Sequence, residues 1–288
     1  ALGVSEQTGF PIAICIGATV CGAMFGDNLS MISDTTIAAV RTQGCEMKDK
    51  FKQNFFIVLP AAILTIVIFY LRTMNLEYDS SAVYDYNFVE VIPYLVVLIG
   101  ALIGFNVFAV LFAGIILSMI VGIANGSFTF LESFGVIGEG MTGLFEISII
   151  SIIVACIVSL IKENGGIALI IDGIKKSVNG KRGAELGVGI LVFLVDLCTA
   201  NNTVAIVMSG PVAKEIGDEF GVDSKRVASI LDIFASVGQG LIPYGAQLLT
   251  AAALVGITPL NIIPNLYYPL LMLVSVLLFI AFRPQKDN

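Results

Sequence analysis

The chain has 288 residues, 57% of them hydrophobic and only 13% charged, and its 15 basic and 22 acidic side chains leave a net charge of −7. A soluble domain needs about a quarter of its residues charged, so a soluble globular enzyme and a disordered chain are excluded, and the acidic balance leaves no basic footprint for nucleic acid. The long apolar runs point instead to an all-α, polytopic integral membrane protein, because helices satisfy their own backbone groups in lipid.

In chain order, the polar opening Val4-Ser5-Glu6-Gln7-Thr8-Gly9 behind Ala1 reads as a loop inside a longer protein, which predicts a preceding N-terminal part. Residues 10–40 are apolar but interrupted at Gly22, Gly26, Asp27, Asn28, Ser30, Ser33 and Asp34. Residues 54–71 form a clean span with a kink expected at Pro60. Residues 89–123 are too long for one span, and Gly104-Phe105-Asn106 offers a turn between two; 143–161 form another span. Residues 163–182 mix Ile167, Leu169, Ile170, Ile171 and Ile174 with Lys175 and Lys176, as a helix lying along the inner interface would. Residues 183–212 should re-enter as a hairpin, 227–257 should cross with a break at Gly238–Gln247, and 262–282 should return. The expected division is therefore 1–53, the end of a first repeat with an interrupted helix and the ion-site motif; 54–161, scaffold transmembrane helices; and 162–288, a second repeat with interfacial helix, re-entrant hairpin, interrupted helix and final transmembrane helix.

Basic residues set the sidedness. Residues 73–161 hold no Lys or Arg but carry Glu77, Asp79, Asp85, Glu90, Glu132, Glu139 and Glu146, so their loops should face outside. The groups Arg41, Lys48, Lys50 and Lys52; Lys162, Lys175, Lys176, Lys181 and Arg182; Lys214, Lys225 and Arg226; and Arg283 and Lys286 all read as cytoplasmic. There is no Trp, so interfacial anchoring falls to tyrosines such as Tyr70, Tyr94, Tyr267 and Tyr268. There is no His either, so proton chemistry must run on carboxylates. Cys15, Cys21, Cys45, Cys156 and Cys198 make no CxxC pair and read as free, helix-buried thiols.

Three polar clusters interrupt the apolar sequence. Gly26-Asp27-Asn28-Leu29-Ser30-Met31-Ile32-Ser33-Asp34-Thr35-Thr36 concentrates carboxylates, an amide and hydroxyls where a lone buried charge is expensive. A broken helix would let carbonyl and side-chain oxygens replace a cation's hydration shell, with a carboxylate that takes a proton when the cation leaves. The bland alternative is a polar interfacial loop with both Asp in water. Asp196-Leu197-Cys198-Thr199-Ala200-Asn201-Asn202-Thr203 falls midway along the expected hairpin, where Thr199, Asn201, Asn202 and Thr203 offer turn geometry and ligand oxygens; an ordinary turn outside the membrane is the alternative. Ser236–Gln247 is broken by Gly and Pro and supplies Gln239, Tyr244 and Gln247, against the alternative of a kink without ligands. Asp232 is a weaker candidate one turn earlier. Gly22-x-x-Phe25-Gly26 is similar to Gly240-x-x-Pro243-Tyr244-Gly245, in segments of opposite expected direction, which suits an inverted-repeat transporter with broken helices. Gly100–Gly104 as a small-residue packing face carries little weight.

The run Gly26-Asp27-Asn28-Leu29-Ser30-x-x-Ser33-Asp34-Thr35-Thr36, followed by Arg41-Thr42-Gln43-Gly44-Cys45-Glu46-Met47-Lys48-Asp49-Lys50, resembles the signature of NhaC-type sodium/proton antiporters of the ion-transporter superfamily. The resemblance implies an inverted-repeat fold with two re-entrant hairpins and two unwound helices, and exchange of Na⁺ for H⁺. The family's earlier hairpin with a Gly-Thr-Ser-type tip has no counterpart here, as expected for a chain truncated at its N-terminus. Some relatives exchange organic anions with Na⁺ and H⁺.

The leading reading is a secondary transporter, not an enzyme, that exchanges Na⁺ for H⁺ across the inner (plasma) membrane. The cation ligands would be drawn from Asp27, Asn28, Ser30, Ser33, Asp34, Thr35, Thr36, Thr199, Asn201, Asn202 and Thr203, with Asp196, Gln239, Tyr244 and Gln247 along the substrate path. Asp34 is the first choice for the proton carrier and Asp27 the second. No cofactor is expected; the partners are Na⁺, H⁺ and the lipid bilayer, no nucleic acid, and a homodimer is compatible. The alternative is a Na⁺-coupled transporter of a small organic acid or amino acid, which a buried Lys or Arg near the site would favour, and none is expected. A channel or a structural membrane subunit is a different class; two carboxylates in a broken helix argue against a purely structural role, and no P-loop supports ATP-driven pumping.

Overall fold

In the computed structural model, which describes residues 1–30, 33–76, 87–103 and 105–282, every regular element is a helix. Met31, Ile32, Glu77, Asp79, Asp85, Gly104, Arg283 and Lys286, on which parts of the sequence analysis fall, lie outside the described residues. Contacts divide the chain into two units, residues 1–79 with 147–288, and residues 80–146.

The first unit opens with α1 (Leu2–Thr8), closed by the left-handed Gly9. The interrupted region then forms α2 (Ile12–Asn28) and α3 (Asp34–Gln43), separated at the polar cluster. Ser33 is extended at the start of α3 and Asp34 occupies its first turn, where the helix dipole favours an anion. Gly44 ends α3 with φ 67°, a backbone turn that glycine adopts without a Cβ penalty. α4 (Met47–Thr73) contains the expected 54–71 span and runs through Pro60. Of the long helix α7 (Phe130–Glu163), residues from 147 onward belong to this unit, and its 148–163 part meets α8 (Gly166–Ser177) at a bend of 59°.

The hairpin expected at 183–212 is α9 (Gly180–Thr199) and α10 (Asn202–Phe220). Its corner is Ala200, the one described non-glycine residue with positive φ, at 49°. Asn201 caps α10 by accepting the Val204 N–H at 3.0 Å. α11 (Ser224–Leu241) is buried at every residue from Arg226 to Gly240 and is the central helix, packed by α9, α10, α3, α4 and α14. The chain breaks at 242–245, where Pro243 disfavours helix at the residue before it, and resumes as α12 (Ala246–Val255). α13 (Pro259–Ile262) and a short 3₁₀ turn (Ile263–Asn265) meet α14 (Tyr267–Phe282) at a bend of 51°.

The second unit contains α5 (Phe88–Ile103) and α6 (Val107–Ala124); of the turn expected between them, Gly104 lies outside the described residues. They pack through small residues: Val97 sits on Gly114 and Val110 on Gly100.

Among the described residues, Met47–Thr73 and Ser224–Val255 are each long and apolar enough to cross a membrane, and the two bent pairs would bring the total to four. α4 turns Phe56, Ile63, Leu64, Ile66, Val67 and Leu71 outward, and α14 turns out Leu270, Val274, Leu278 and Phe282, faces that suit lipid rather than water. The protein is an all-α, multi-pass membrane protein. Some expectations need correction. Lys50 and Arg226 do not sit in solvated basic loops but are buried on helices, paired with Asp232 and Glu185. Tyr268 does not anchor an interface; it is 1% exposed and meets Phe25 edge-on. All five cysteines are free, but only Cys21 is buried and Cys156 is exposed.

Candidate functional site

The polar clusters converge because α3 lies against both α10 and α11. Asp27, in the last turn of α2, reaches across the break. Its Oδ1 accepts the Ser33 hydroxyl at 2.6 Å and its Oδ2 the Thr35 hydroxyl at 3.3 Å, and these two hydroxyls lie 2.8 Å apart. Asp34, on the other side of the break, accepts its neighbour's Thr35 N–H on Oδ1 at 3.0 Å and the Thr203 hydroxyl on Oδ2 at 2.7 Å. Thr203 belongs to the first turn of α10, so the hairpin tip faces the helix break directly. Asn28 ties the same break to the central helix by donating to Ser236 Oγ at 2.8 Å.

Behind this layer lies a second one. Lys50 Nζ donates to Asp232 Oδ2 and to Thr36 Oγ1, each at 2.6 Å. Asn54 donates to Asp232 Oδ2 at 2.8 Å and to the Asn28 carbonyl at 3.1 Å. The expectation that no buried Lys or Arg stands near the site was therefore wrong. Asp232, Lys50 and Asn54 were missed or underweighted as site residues, yet a signal existed. Lys50 and Asn54 are one helical turn apart on α4, and Asp232 is a lone charge in an otherwise apolar stretch of α11.

Asp27, Asp34, Asn202, Ser236, Gln239, Gln247 and Thr250 line one cavity of about 510 Å³, with Ile16, Val20, Met24 and Leu254 as its apolar wall. Several buried oxygens near it have no donor, among them Asn28 Oδ1, Gln239 Oε1, Asn54 Oδ1 and Asp232 Oδ1. Among the described residues no three His, Cys, Asp or Glu converge, so a cation here would be held by carboxylate, hydroxyl and amide oxygens together.

The remaining candidates fall into place as follows. Thr36 lies in the second layer on Lys50. Ser30 follows the end of α2, its N–H on the Asp27 carbonyl at 3.0 Å. Thr199 donates to the Asn201 carbonyl at 3.2 Å, and Asn201 Oδ1 is used as the α10 cap, so both act within the turn. Asn202 Oδ1 accepts the Thr203 N–H at 2.9 Å while the residue lines the cavity. Tyr244 donates to the Leu197 carbonyl at 2.6 Å and joins the α11–α12 break to the hairpin. Asp196 is fully buried one turn before the tip, off the cavity lining.

The model of the Na⁺/H⁺ antiporter family matches residues 85–283, which include the hairpin, the central helix and the second break. The chain is 24% identical over 303 residues to the Na⁺/H⁺ antiporter NhaC of Bacillus subtilis, covering 93% of this chain and 66% of that protein. It is 20% identical over 300 residues to the malate-2H⁺/Na⁺-lactate antiporter of the same organism, covering 92% and 64%. It is 21% identical over 310 residues to the arginine/ornithine antiporter ArcD of Halobacterium salinarum, covering 96% and 64%. The chain thus spans just under two thirds of the length of the curated relatives it matches. No solved structure matches it. The matched residues, more than half of the chain, carry the hairpin whose tip faces the α2–α3 break together with the central helix, and the chain belongs to the Na⁺/H⁺ antiporter family.

Proposed function

We propose that the protein containing this chain exchanges Na⁺ for H⁺ across the cytoplasmic membrane, with Na⁺ and the proton competing for the Asp27–Asp34 pair. The observation that carries this reading is that the two carboxylates flank one helix break and open onto one cavity, each held by hydroxyls from across a gap. Ser33, Thr35 and Thr203 are the neutral ligands that would complete the cation shell. A proton arriving at either carboxylate removes the charge that holds the ion, so the two affinities are linked and reciprocal. The α2–α3 and α11–α12 interruptions support an inverted repeat, with residues 1–53 and 162–288 in its two halves and 54–161 as scaffold.

The test uses the full-length protein in vesicles. A Na⁺ pulse should dissipate an imposed pH gradient, and Asp34→Asn or Asp27→Asn should abolish this while the protein still inserts. Near-normal exchange in both variants would remove the pair from the mechanism.

A second reading, exchange of a small organic acid or amino acid with Na⁺ or H⁺, is favoured by the cavity volume and by relatives named for such substrates. Lys50 does not strengthen it, because its ammonium is committed to Asp232 and Thr36 and is not part of the cavity wall. Organic acids and amino acids in place of Na⁺ in the same assay distinguish the two.

A further inference from the structure

Asp196 takes no part in the site above, yet it is the least explained group in the protein. It lies in the last turn of α9, is 0% exposed, and neither carboxyl oxygen has a hydrogen-bond partner. Its side chain packs on Gly238 of the central helix so closely that a Cβ there would stand 2.5 Å from Oδ2. Gly238 falls between Ser236 and Gln239, both of which line the cavity.

The ionisable groups around it offer no counter-charge. Tyr244, close enough to interact with it electrostatically, spends its hydroxyl on the Leu197 carbonyl, and Cys198 is a neutral neighbour on its own helix. From α11, Arg226 and Asp232 are paired with Glu185 and Lys50. From α8 and α10, Lys175 is paired with Glu215 and Lys214 with Asp218. α14 brings only tyrosines. An unpartnered carboxylate in such a place costs several kcal/mol, whereas the neutral acid costs far less.

We propose that Asp196 is a second proton-binding site of the transport cycle, separate from the Asp27–Asp34 pair and reached through the Ser236–Gln239 wall of the cavity. The proton joins one Oδ atom from water on one side of the membrane and leaves to water on the other, and the carboxyl alternates between neutral acid and anion. The Gly238 contact seats the carboxyl against the central helix, where a side chain on residue 238 would collide with it. The Tyr244–Leu197 bond ties the second helix break to the turn that carries Asp196, so a shift of that break would open or close the acid to the cavity. This inference rests on the antiport reading and adds a proton to it.

The experiment compares full-length wild type, Asp196→Asn, Gly238→Ala and Asp27→Asn, purified and reconstituted. The readouts are radioactive Na⁺/Na⁺ counterflow, protons moved per Na⁺ at balanced potential, and the infrared C=O stretch of a carboxylic acid without hydrogen bonds. Asp196→Asn should keep counterflow, halve the protons per Na⁺ and remove the infrared band. Gly238→Ala should shift that band and slow proton movement relative to Na⁺. Asp27→Asn should lose counterflow and keep the band, which separates the two sites. An unchanged proton count in Asp196→Asn, or joint loss of counterflow and proton movement in that variant, overturns the proposal. If wild type shows no counterflow, the Na⁺ reading fails on its own account, and the infrared band still decides whether Asp196 holds a proton.

Discussion

Lys50→Met leaves the stem of the side chain and removes the ammonium from the layer behind the site. Both ends of the Lys50–Asp232 pair are buried, 1% and 0% exposed, so water cannot take over the lost contact. Asp232 would keep only Asn54, at 2.8 Å on Oδ2, while Oδ1 already lacks a donor. Removing one partner of a buried pair destabilises by about 3–5 kcal/mol, most of it from the charge left behind. The Thr36 hydroxyl loses a charged donor too, but it can rotate onto a helix carbonyl, which keeps the expected loss near the lower end of that range. Adding Asp232→Leu removes the stranded charge, so the double variant should be more stable than Lys50→Met alone, with a coupling of roughly 2–3 kcal/mol. Reversible denaturation of the detergent-solubilised protein, followed by far-ultraviolet circular dichroism because the chain has no Trp, measures all three variants. A single-variant loss below about 1 kcal/mol, with additive effects in the double, would refute the reasoning, because it would mean that the pair is effectively in water.

Thr203→Val deletes the hydrogen bond from the hairpin tip to Asp34, a charge-assisted contact of about 1.5 kcal/mol. It should raise the half-saturating Na⁺ concentration roughly tenfold in counterflow assays while barely moving the thermal midpoint. Arg226→Ala removes the guanidinium that pairs with the buried Glu185, 1% exposed, and should destabilise by about 3 kcal/mol in the same denaturation assay. Arg226→Lys should recover only part of this, since a lysine cannot reproduce the guanidinium fork or its place over the Phe279 ring at 4.4 Å. Gly17→Ala places a methyl 2.7 Å from Asn265 Cβ and 2.9 Å from its carbonyl oxygen, and should destabilise by about 1–3 kcal/mol. Gly22→Ala meets nothing within 4 Å on the same helix and should instead stabilise by about 0.5–1 kcal/mol, read as opposite shifts of the thermal midpoint.

Two helix breaks were legible because an apolar run is interrupted by turn-forming residues, whereas Pro60 marks no break in α4. The Thr199–Thr203 turn and the Gly238–Gln247 stretch with Pro243 each mark a break where the structure has one. The first layer of the site was legible for a related reason. Asp27, Ser33, Asp34 and Thr35 are close in sequence, and Thr203 sits in a turn whose polarity stands out against its surroundings. The second layer was not legible, because its partners are brought together by packing alone. Lys50 and Asp232 are far apart in the chain, and although Asp232 stands out as a lone charge in an apolar stretch, nothing in the sequence says that it meets a lysine from the basic run. Charge counting then sends Lys50 to a cytoplasmic loop, and only the crossing of α4 and α11 reveals that it is neutralised inside the protein. Tyr268 misled for the same reason, since amphipathic tyrosines suit both an interface and a core.

The corner of the hairpin is an alanine held at φ 49°, in a position where a glycine would be relaxed. A Cβ in that region carries a penalty of about 1–2 kcal/mol. The penalty comes with stiffness, since alanine has far fewer alternative backbone states than glycine and cannot swing freely about the turn. Asn201 and Thr203 follow at once, so the aim of the Thr203 hydroxyl at Asp34 is set by a corner with little slack. The hairpin is therefore suited to move as one lever, bringing the Thr203 hydroxyl to Asp34 or withdrawing it whole, rather than as a flap that frays at its end. Ala200→Gly would turn that lever into a hinge: a protein at least as stable, whose hold on Asp34 is looser.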